Sequence, residues 1–231
     1  MAVPFGNPAR NGHATTSTPQ QASNLVRLLE SQGYRELAAT YVLTGAVRLA
    51  PLLDDKRLLA DQATEELEHF EALAAIYEEV ASDHPEGLVA AIARRVAEVP
   101  TPRSWPEAVV AELLLCRAGK FDVAACGADL GPYARMLRRI AAEEDGHAAA
   151  AKATLQTLIA PGNRSIIQAS LVEWTTIALL SFGSAAHDRT REHAKTIREY
   201  VRSLETTLSL WDLWLPPAEA LGIEPPQGYP S

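Results

Sequence analysis

Apolar residues recur every three or four positions along most of the chain, which is the spacing of helices that bury one face. Proline, glycine and polar clusters interrupt this pattern and mark the connections between helices. No stretch of useful length alternates with period two, so the sequence predicts no sheet. The pattern predicts helices over residues 22–49, 54–82, 86–97, 104–125, 132–159, 164–186 and 188–214.

The predicted architecture is all-α, a four-helix bundle with additional C-terminal helices. The chain has 231 residues, a length that suits one domain. Residues 1–21 are rich in Pro, Gly, Thr and Asn and are expected to form a mobile tail, and residues 22–231 to form the helical domain. Ser104 and Glu107 predict a capping box at the start of the third long helix.

Composition narrows the classes of function. The formal net charge is −8 and no long basic run is present, which argues against a nucleic-acid partner. Cys116 and Cys126 would lie about 15 Å apart on one helix, too far for a disulfide. The N-terminus lacks an apolar run of signal-peptide length. The most apolar stretch, residues 171–183, is short and contains Glu173, so it predicts a buried helix and no membrane span. We therefore expect a cytoplasmic protein.

The motif Glu-x-x-His occurs twice, as Glu66–His69 and as Glu144–His147, 78 residues apart. A spacing of three residues puts both side chains of a pair on one face of a helix. The motif alone is weak evidence, because with six histidines in the chain two such pairs can arise by chance. Its ordinary interpretation is a solvated face that makes a contact between neighbouring turns.

A further glutamate precedes each motif on an otherwise apolar helical face. Glu36 lies 30 residues before Glu66, and Glu112 lies 32 residues before Glu144. These spacings suit two antiparallel hairpins that bring their acidic residues to the same height in a bundle. Carboxylates that point into a core are costly unless their charge is compensated. Two divalent metal ions would balance the four carboxylates.

The sequence therefore predicts a dinuclear metal centre inside the bundle. The predicted metal ligands are Glu36, Glu66, His69, Glu112, Glu144 and His147, and the four glutamates are also the predicted catalytic residues. Oxygen-rich ligation with one imidazole per metal suits Fe(II) or Mn(II). Cys116, one turn after Glu112, is interpreted as a small buried hydrophobe, with a ligand role as the alternative. Glu65 and Glu68 are expected to be solvated.

Five segments carry a resemblance to a known family. They are RLAPLLDDKRLLADQATEELEHFEALAAIYEE, SWPEAVVAELLLCRAGKF, GPYARMLRRIAAEEDGH, the SFG at 181–183 and LPPAEALGIEPP at 215–226. In order and spacing they resemble the phenylacetic acid catabolic protein family, which includes the catalytic subunit of bacterial phenylacetyl-CoA epoxygenase. The resemblance runs from about residue 25 to residue 226.

The resemblance implies a ferritin-like fold and a di-iron centre that activates O₂. The positions that match the ligands of that family are Glu36, Glu66, His69, Glu144 and His147. The family favours an acidic residue near the position of Cys116, and the nearest acid here is Glu112. The function expected is that of a non-haem di-iron monooxygenase with two iron ions as cofactor and O₂ as co-substrate. It would hydroxylate, epoxidise or N-oxygenate a small organic substrate, with a thioester among the candidates.

Two alternatives stay open. The first is a ferritin-like ferroxidase or metal-storage protein. The second is a non-catalytic scaffold subunit of a multicomponent oxygenase. No flavin, haem or iron–sulfur motif is visible, so an oxygenase would need an external electron donor or reductase. The partners expected are that reductase, a small-molecule substrate and a second copy of the chain in a homodimer. Neither a nucleic acid nor a membrane is expected as a partner.

Overall fold

A computed structural model describes residues 18–81, 86–182, 191–217 and 221. In these residues the chain forms seven α-helices and one 3₁₀ segment, and no strand. The helices are α1 (Pro19–Ala46), α2 (Leu53–Val80), α3 (Gly87–Val96), α4 (Trp105–Cys126), α5 (Ala134–Leu158), α6 (Pro161–Leu180) and α7 (Arg191–Ser209). The all-α prediction is confirmed.

The observed start of α1 differs from the predicted start at residue 22. Thr18 caps the helix: its hydroxyl oxygen accepts the Gln21 backbone N–H, and the Gln21 side-chain oxygen accepts the Thr18 backbone N–H. This capping box allows the helix to begin at Pro19. Residues 1–17 of the predicted mobile tail lie outside the described residues.

The connection between the predicted helices 104–125 and 132–159 is a 3₁₀ segment, Gly127–Tyr133. Gly127 and Gly131 have φ angles of +48° and +52°, a region that favours glycine.

At the start of α4 the predicted capping box is only half formed. The Ser104 hydroxyl accepts the Glu107 N–H, but the Glu107 carboxylate accepts hydrogen bonds from Arg103 and from the Trp174 indole.

Helices α1, α2, α4 and α5 form a four-helix bundle of two hairpins. Helix α1 packs against α2, α4 packs against α5, and α1 also packs against α4. Fifteen of the 22 residues of α4 are buried, because α6 and α7 cover the side of α4 that faces away from the bundle. Helices α2 and α5, by contrast, meet mainly through the side chains of the polar layer described below.

The apolar core of the bundle is divided along the helix axes. The larger cluster includes Leu29 on α1 and Leu73 on α2. The smaller cluster, at the end of the bundle where α1 meets α2, includes Leu43 and Leu59. Along both helices a layer of buried polar residues lies between the two clusters. That layer contains the predicted site.

A buried ion pair joins α1 to α4 next to this layer. Arg35 Nη1 lies 2.9 Å from Asp122 Oδ2 and also donates to the Ser181 hydroxyl. The side chains of Arg35 and Asp122 are 2% and 12% exposed. Gln32, one turn earlier on α1, donates to the Gly119 carbonyl on α4. These contacts fix the position of α1 against α4 at the residue that precedes Glu36.

Two further predictions from the sequence concern disulfide bonds and membrane spans. Cys116 and Cys126 are both free, as their predicted separation requires. Among the helices of the described ranges, none has the length and apolar character to cross a membrane.

Candidate metal centre

The four bundle helices bring the predicted ligands to one buried layer. Glu36 comes from α1, Glu66 and His69 from α2, Glu112 from α4, and Glu144 and His147 from α5. The four glutamates are each at most 6% exposed. The side chains of the two histidines are 5% and 13% exposed. Burial of four acidic residues in one layer requires a compensating positive charge.

The donor atoms fall into two groups, and in each group they all lie within 4.8 Å of one another. The first group consists of Glu36, Glu66, His69 and Glu144, and the second of Glu66, Cys116, Glu144 and His147. Glu66 and Glu144 belong to both groups. Each group takes three residues from one hairpin and one from the other. Two metal ions in these positions would therefore share two carboxylates.

Both histidines turn Nδ1 towards the shared carboxylates. His69 Nδ1 lies 3.4 Å from Glu36 Oε2 and 3.7 Å from Glu144 Oε1. His147 Nδ1 lies 3.0 Å from Glu66 Oε1 and 3.5 Å from Glu144 Oε1. One oxygen of Glu144 thus lies between the two imidazoles, which makes Nδ1 the atom of each histidine that can bind a metal.

The outer nitrogen of each histidine is held by a glutamate from the opposite helix. His69 Nε2 donates to Glu143 at 3.0 Å, and His147 Nε2 donates to Glu65 at 3.1 Å. A carboxylate only accepts, so the proton of each bond is on Nε2. Such partners fix the orientation of a histidine ligand and raise its basicity.

Sequence reasoning missed these two supporting glutamates, and it placed Glu65 among the solvated acids. Glu65 is indeed 57% exposed, but its carboxylate reaches across to α5. The sequence contains a pattern that could have indicated them. Both motifs read Glu-Glu-x-x-His, and the supporting glutamate is the residue directly before the metal-ligand glutamate in each.

Unpaired polar atoms show that the layer fits a cation. Within the part of the chain that the structure describes, six buried side-chain N or O atoms make no hydrogen bond. One is Arg35 Nη2, and the other five are both carboxylate oxygens of Glu36, Oε2 of Glu66, Oε1 of Glu144 and Nδ1 of His69. Each such atom costs about 1–3 kcal/mol of desolvation. All five belong to the first donor group. Carboxylates with one imidazole are donors that suit Fe(II) or Mn(II).

Glu112 lies near these groups, but its carboxylate belongs to neither. Its Oε1 accepts a hydrogen bond from Gln62 Nε2 at 3.3 Å. Burial raises the pKa of Glu112 to about 7, and the charge of Glu66 acts in the same direction. The ligand role of Glu112 stays a prediction. Cys116, one turn further along α4, lies in the second group instead.

The buried charges shift the pKa values of the ligands strongly. Burial, followed by the charge of Glu144, raises the pKa of Glu36 well above its ordinary value. Burial alone would lower the pKa of His147, but the neighbouring carboxylates of Glu144 and Glu66 raise that pKa to about 11. The pKa of His69 is raised in the same way against the effect of burial. Without a metal ion, protons on the imidazoles therefore balance the carboxylates.

A family comparison agrees with this architecture. A family model described as "Ferritin-like domain, actinomycetes" matches residues 19–201, which include the bundle and both motifs. The chain belongs to this ferritin-like family. No curated protein matches the sequence. The ferritin-like fold is thereby confirmed, and the narrower resemblance to the phenylacetic acid catabolic proteins stays a prediction.

Metal uptake by this ferritin-like protein is expected to release protons. In the metal-free protein we expect both imidazoles to carry a proton on Nδ1 at pH 7, because the pKa of His147 is raised to about 11 and that of His69 is raised as well. A metal ion must displace these protons, so metal affinity falls as the pH is lowered. Calorimetric titration of Fe(II) under anaerobic conditions, in two buffers of different ionisation enthalpy, should give at least two protons released per chain. Release of less than one proton would contradict these pKa directions.

The supporting glutamates are expected to control metal affinity. In Glu143→Gln, the Nε2 proton of His69 loses its charged acceptor, so His69 is less basic and less well oriented. We expect Fe(II) affinity at the first donor group to fall by about 10–100-fold. Anaerobic equilibrium titration measures this change.

The matched control for this substitution is Asp145→Asn. Asp145 is also on α5 and half exposed, but it pairs with Lys120 at the surface. Its replacement is expected to leave Fe(II) affinity unchanged, because exposed ion pairs contribute little. Equal losses in both variants would show that a general change in charge, rather than the support of His69, determines affinity.

Proposed function

We propose that this ferritin-like protein is a non-haem di-iron oxygenase. It would use O₂ and electrons from an external donor to insert oxygen into a small organic substrate by hydroxylation, epoxidation or N-oxygenation. The observation that carries the proposal is the pair of donor groups that share Glu66 and Glu144. Shared carboxylates would keep two metal ions close enough to act on one O₂ molecule.

Iron is the proposed resident metal, and it is one of the two metals that the donor atoms suit. Glu36, Glu66, His69, Glu144 and His147 would hold the two ions. When bound, ferrous ions supply the electrons and the open positions for O₂ that the protein's own side chains lack. Apolar clusters lie on both sides of the layer and limit the access of water, which strengthens charge interactions within it.

The chain also offers a proton carrier beside the metal ligands. Burial raises the pKa of Glu112 to about 7, so its carboxyl group can hold or release a proton near neutral pH. Because Gln62 donates to Oε1, a proton on Glu112 would be on Oε2. Reduction of O₂ consumes protons, and a buried carboxyl group with this pKa can supply them.

Ferrous loading tests the proposal. The purified chain is loaded with Fe(II) without oxygen, exposed to O₂ without a reductant, and the oxidised iron is counted. An oxygenase should bind two iron ions per chain and stop after oxidising these two. A ferroxidase would continue to oxidise excess Fe(II), and a scaffold subunit would bind no iron; either result overturns the proposal.

A second measurement addresses oxygen insertion. The loaded protein receives a chemical reductant, isotopically labelled O₂ and a panel of small substrates that includes a thioester, an alkene and an aromatic amine. Labelled oxygen in a product supports the oxygenase. Reductant-driven O₂ consumption that yields only hydrogen peroxide or water with every member of the panel would count against it. The Glu66→Ala variant serves as the background for both measurements.

A further inference from the structure

Cys116 occupies an unexpected position on α4. It is 1% exposed, and its sulfur atom belongs to the second donor group with Glu66, Glu144 and His147. All donor atoms of this group lie within 4.8 Å of one another. A cysteine buried in a helical core ordinarily packs as a small apolar residue. Here it faces two carboxylates and an imidazole instead.

A second observation indicates that these neighbours lack a partner. Glu66 Oε2 and Glu144 Oε1 make no hydrogen bond to any described residue, although both side chains are at least nine-tenths buried. The other candidate on α4, Glu112, has an acceptor atom that is already satisfied by Gln62. The unpaired oxygens belong to two residues of the Cys116 group, whereas Glu112 belongs to neither donor group.

We propose that Cys116 Sγ is the α4 donor to the second metal ion, whose other donors are Glu66, Glu144 and His147. This inference rests on the dinuclear centre of the proposed function. The thiol proton would leave to water when the metal binds. The three carboxylates of the two donor groups and the thiolate then carry four negative charges, which balance two divalent ions.

The proposal makes the two metal positions chemically different. The first position offers three carboxylates and one imidazole, which Mn(II) and Fe(II) both accept. The second position replaces one carboxylate by a thiolate, a softer ligand that favours Fe(II), Co(II) or Zn(II) over Mn(II). The first position would therefore bind either Fe(II) or Mn(II), whereas the second would bind Fe(II) in preference to Mn(II).

Cobalt is a suitable probe, because a bond between thiolate sulfur and Co(II) gives a charge-transfer band in the near ultraviolet. The full chain is titrated with Co(II) under anaerobic conditions. We expect two equivalents to bind and the band to appear with one of them. The chain has only two cysteines, so the variant Cys126→Ser retains Cys116 alone. Its band should equal that of the wild type.

The variant Cys116→Ser should lose the band and bind the second Co(II) at least about tenfold more weakly. Two bound equivalents without a band, or a band that disappears in Cys126→Ser, would overturn the assignment of Cys116. Loss of the second equivalent in Glu112→Gln together with an absent band would assign the α4 donor to Glu112. Failure to bind any Co(II) or Fe(II) would overturn the proposed function as well. The Cys126→Ser result decides the question even if Cys116→Ser does not fold.

Discussion

Replacement of Glu66 by alanine is expected to abolish binding of both metal ions. Glu66 is fully buried and contributes to both donor groups, so its loss removes one ligand from each position. In the wild type, metal at a hundredfold excess over its dissociation constant should stabilise the fold by about 2.7 kcal/mol. Thermal unfolding of Glu66→Ala with and without Fe(II), under anaerobic conditions, should show no such stabilisation.

Two variants separate this effect from a general loss of negative charge. Glu36 belongs only to the first donor group, so Glu36→Ala should retain one of the two metal ions. Glu71 is exposed on the same helix as Glu66, so Glu71→Gln should retain both. If Glu66→Ala still bound one ion with wild-type affinity, Glu66 would not be a shared ligand.

Replacement of Asp122 by asparagine is expected to destabilise the fold more than any surface substitution. The change removes the negative charge that compensates Arg35, whose side chain is only 2% exposed. Removal of one partner from a buried ion pair costs about 3–5 kcal/mol, because the other charge stays buried without compensation. For a chain of this size each kcal/mol lowers the melting temperature by roughly 2–4 °C. Chemical denaturation of the metal-free protein measures the loss.

Glu199→Gln provides the control for this prediction. Glu199 pairs with Lys195 on α7, and both side chains are about half exposed or more. Loss of this pair should cost less than about 1 kcal/mol. A similarly small effect for Asp122→Asn would show that water or other polar groups compensate Arg35.

The number and order of the helices followed from the apolar spacing, whereas their ends depended on local hydrogen bonds. The start of α1 was placed too late because the apolar pattern begins after Pro19, and the capping box of Thr18 and Gln21 extends the helix beyond that pattern. The 3₁₀ segment after α4 depends on two glycines with positive φ. The glycines in the sequence indicated that a connection between two helices lies here, but they did not indicate that it would be a 3₁₀ segment.

The candidate site was predictable where a short spacing fixed the geometry. Residues three apart face the same way on any helix, so the sequence alone predicts that the two side chains of each Glu-x-x-His pair point in one direction. Helix α4 offered no such guide, because it is buried on nearly all sides and Glu112 and Cys116 are one turn apart. Which of them faces the shared carboxylates depends on the axial position of α4, and this position is determined by packing.

The distribution of donors between the hairpins has a consequence for dynamics. Each of the two metal positions combines donor atoms from both hairpins. Helices α2 and α5 meet mainly through the polar layer. A bound ion would therefore act as a non-covalent cross-link between two halves that are otherwise joined along α1 and α4. Amide hydrogen exchange should slow on metal binding in the middle of α2 and α5 and change little in α6. Occupancy of the centre would then set how often the bundle opens along that side.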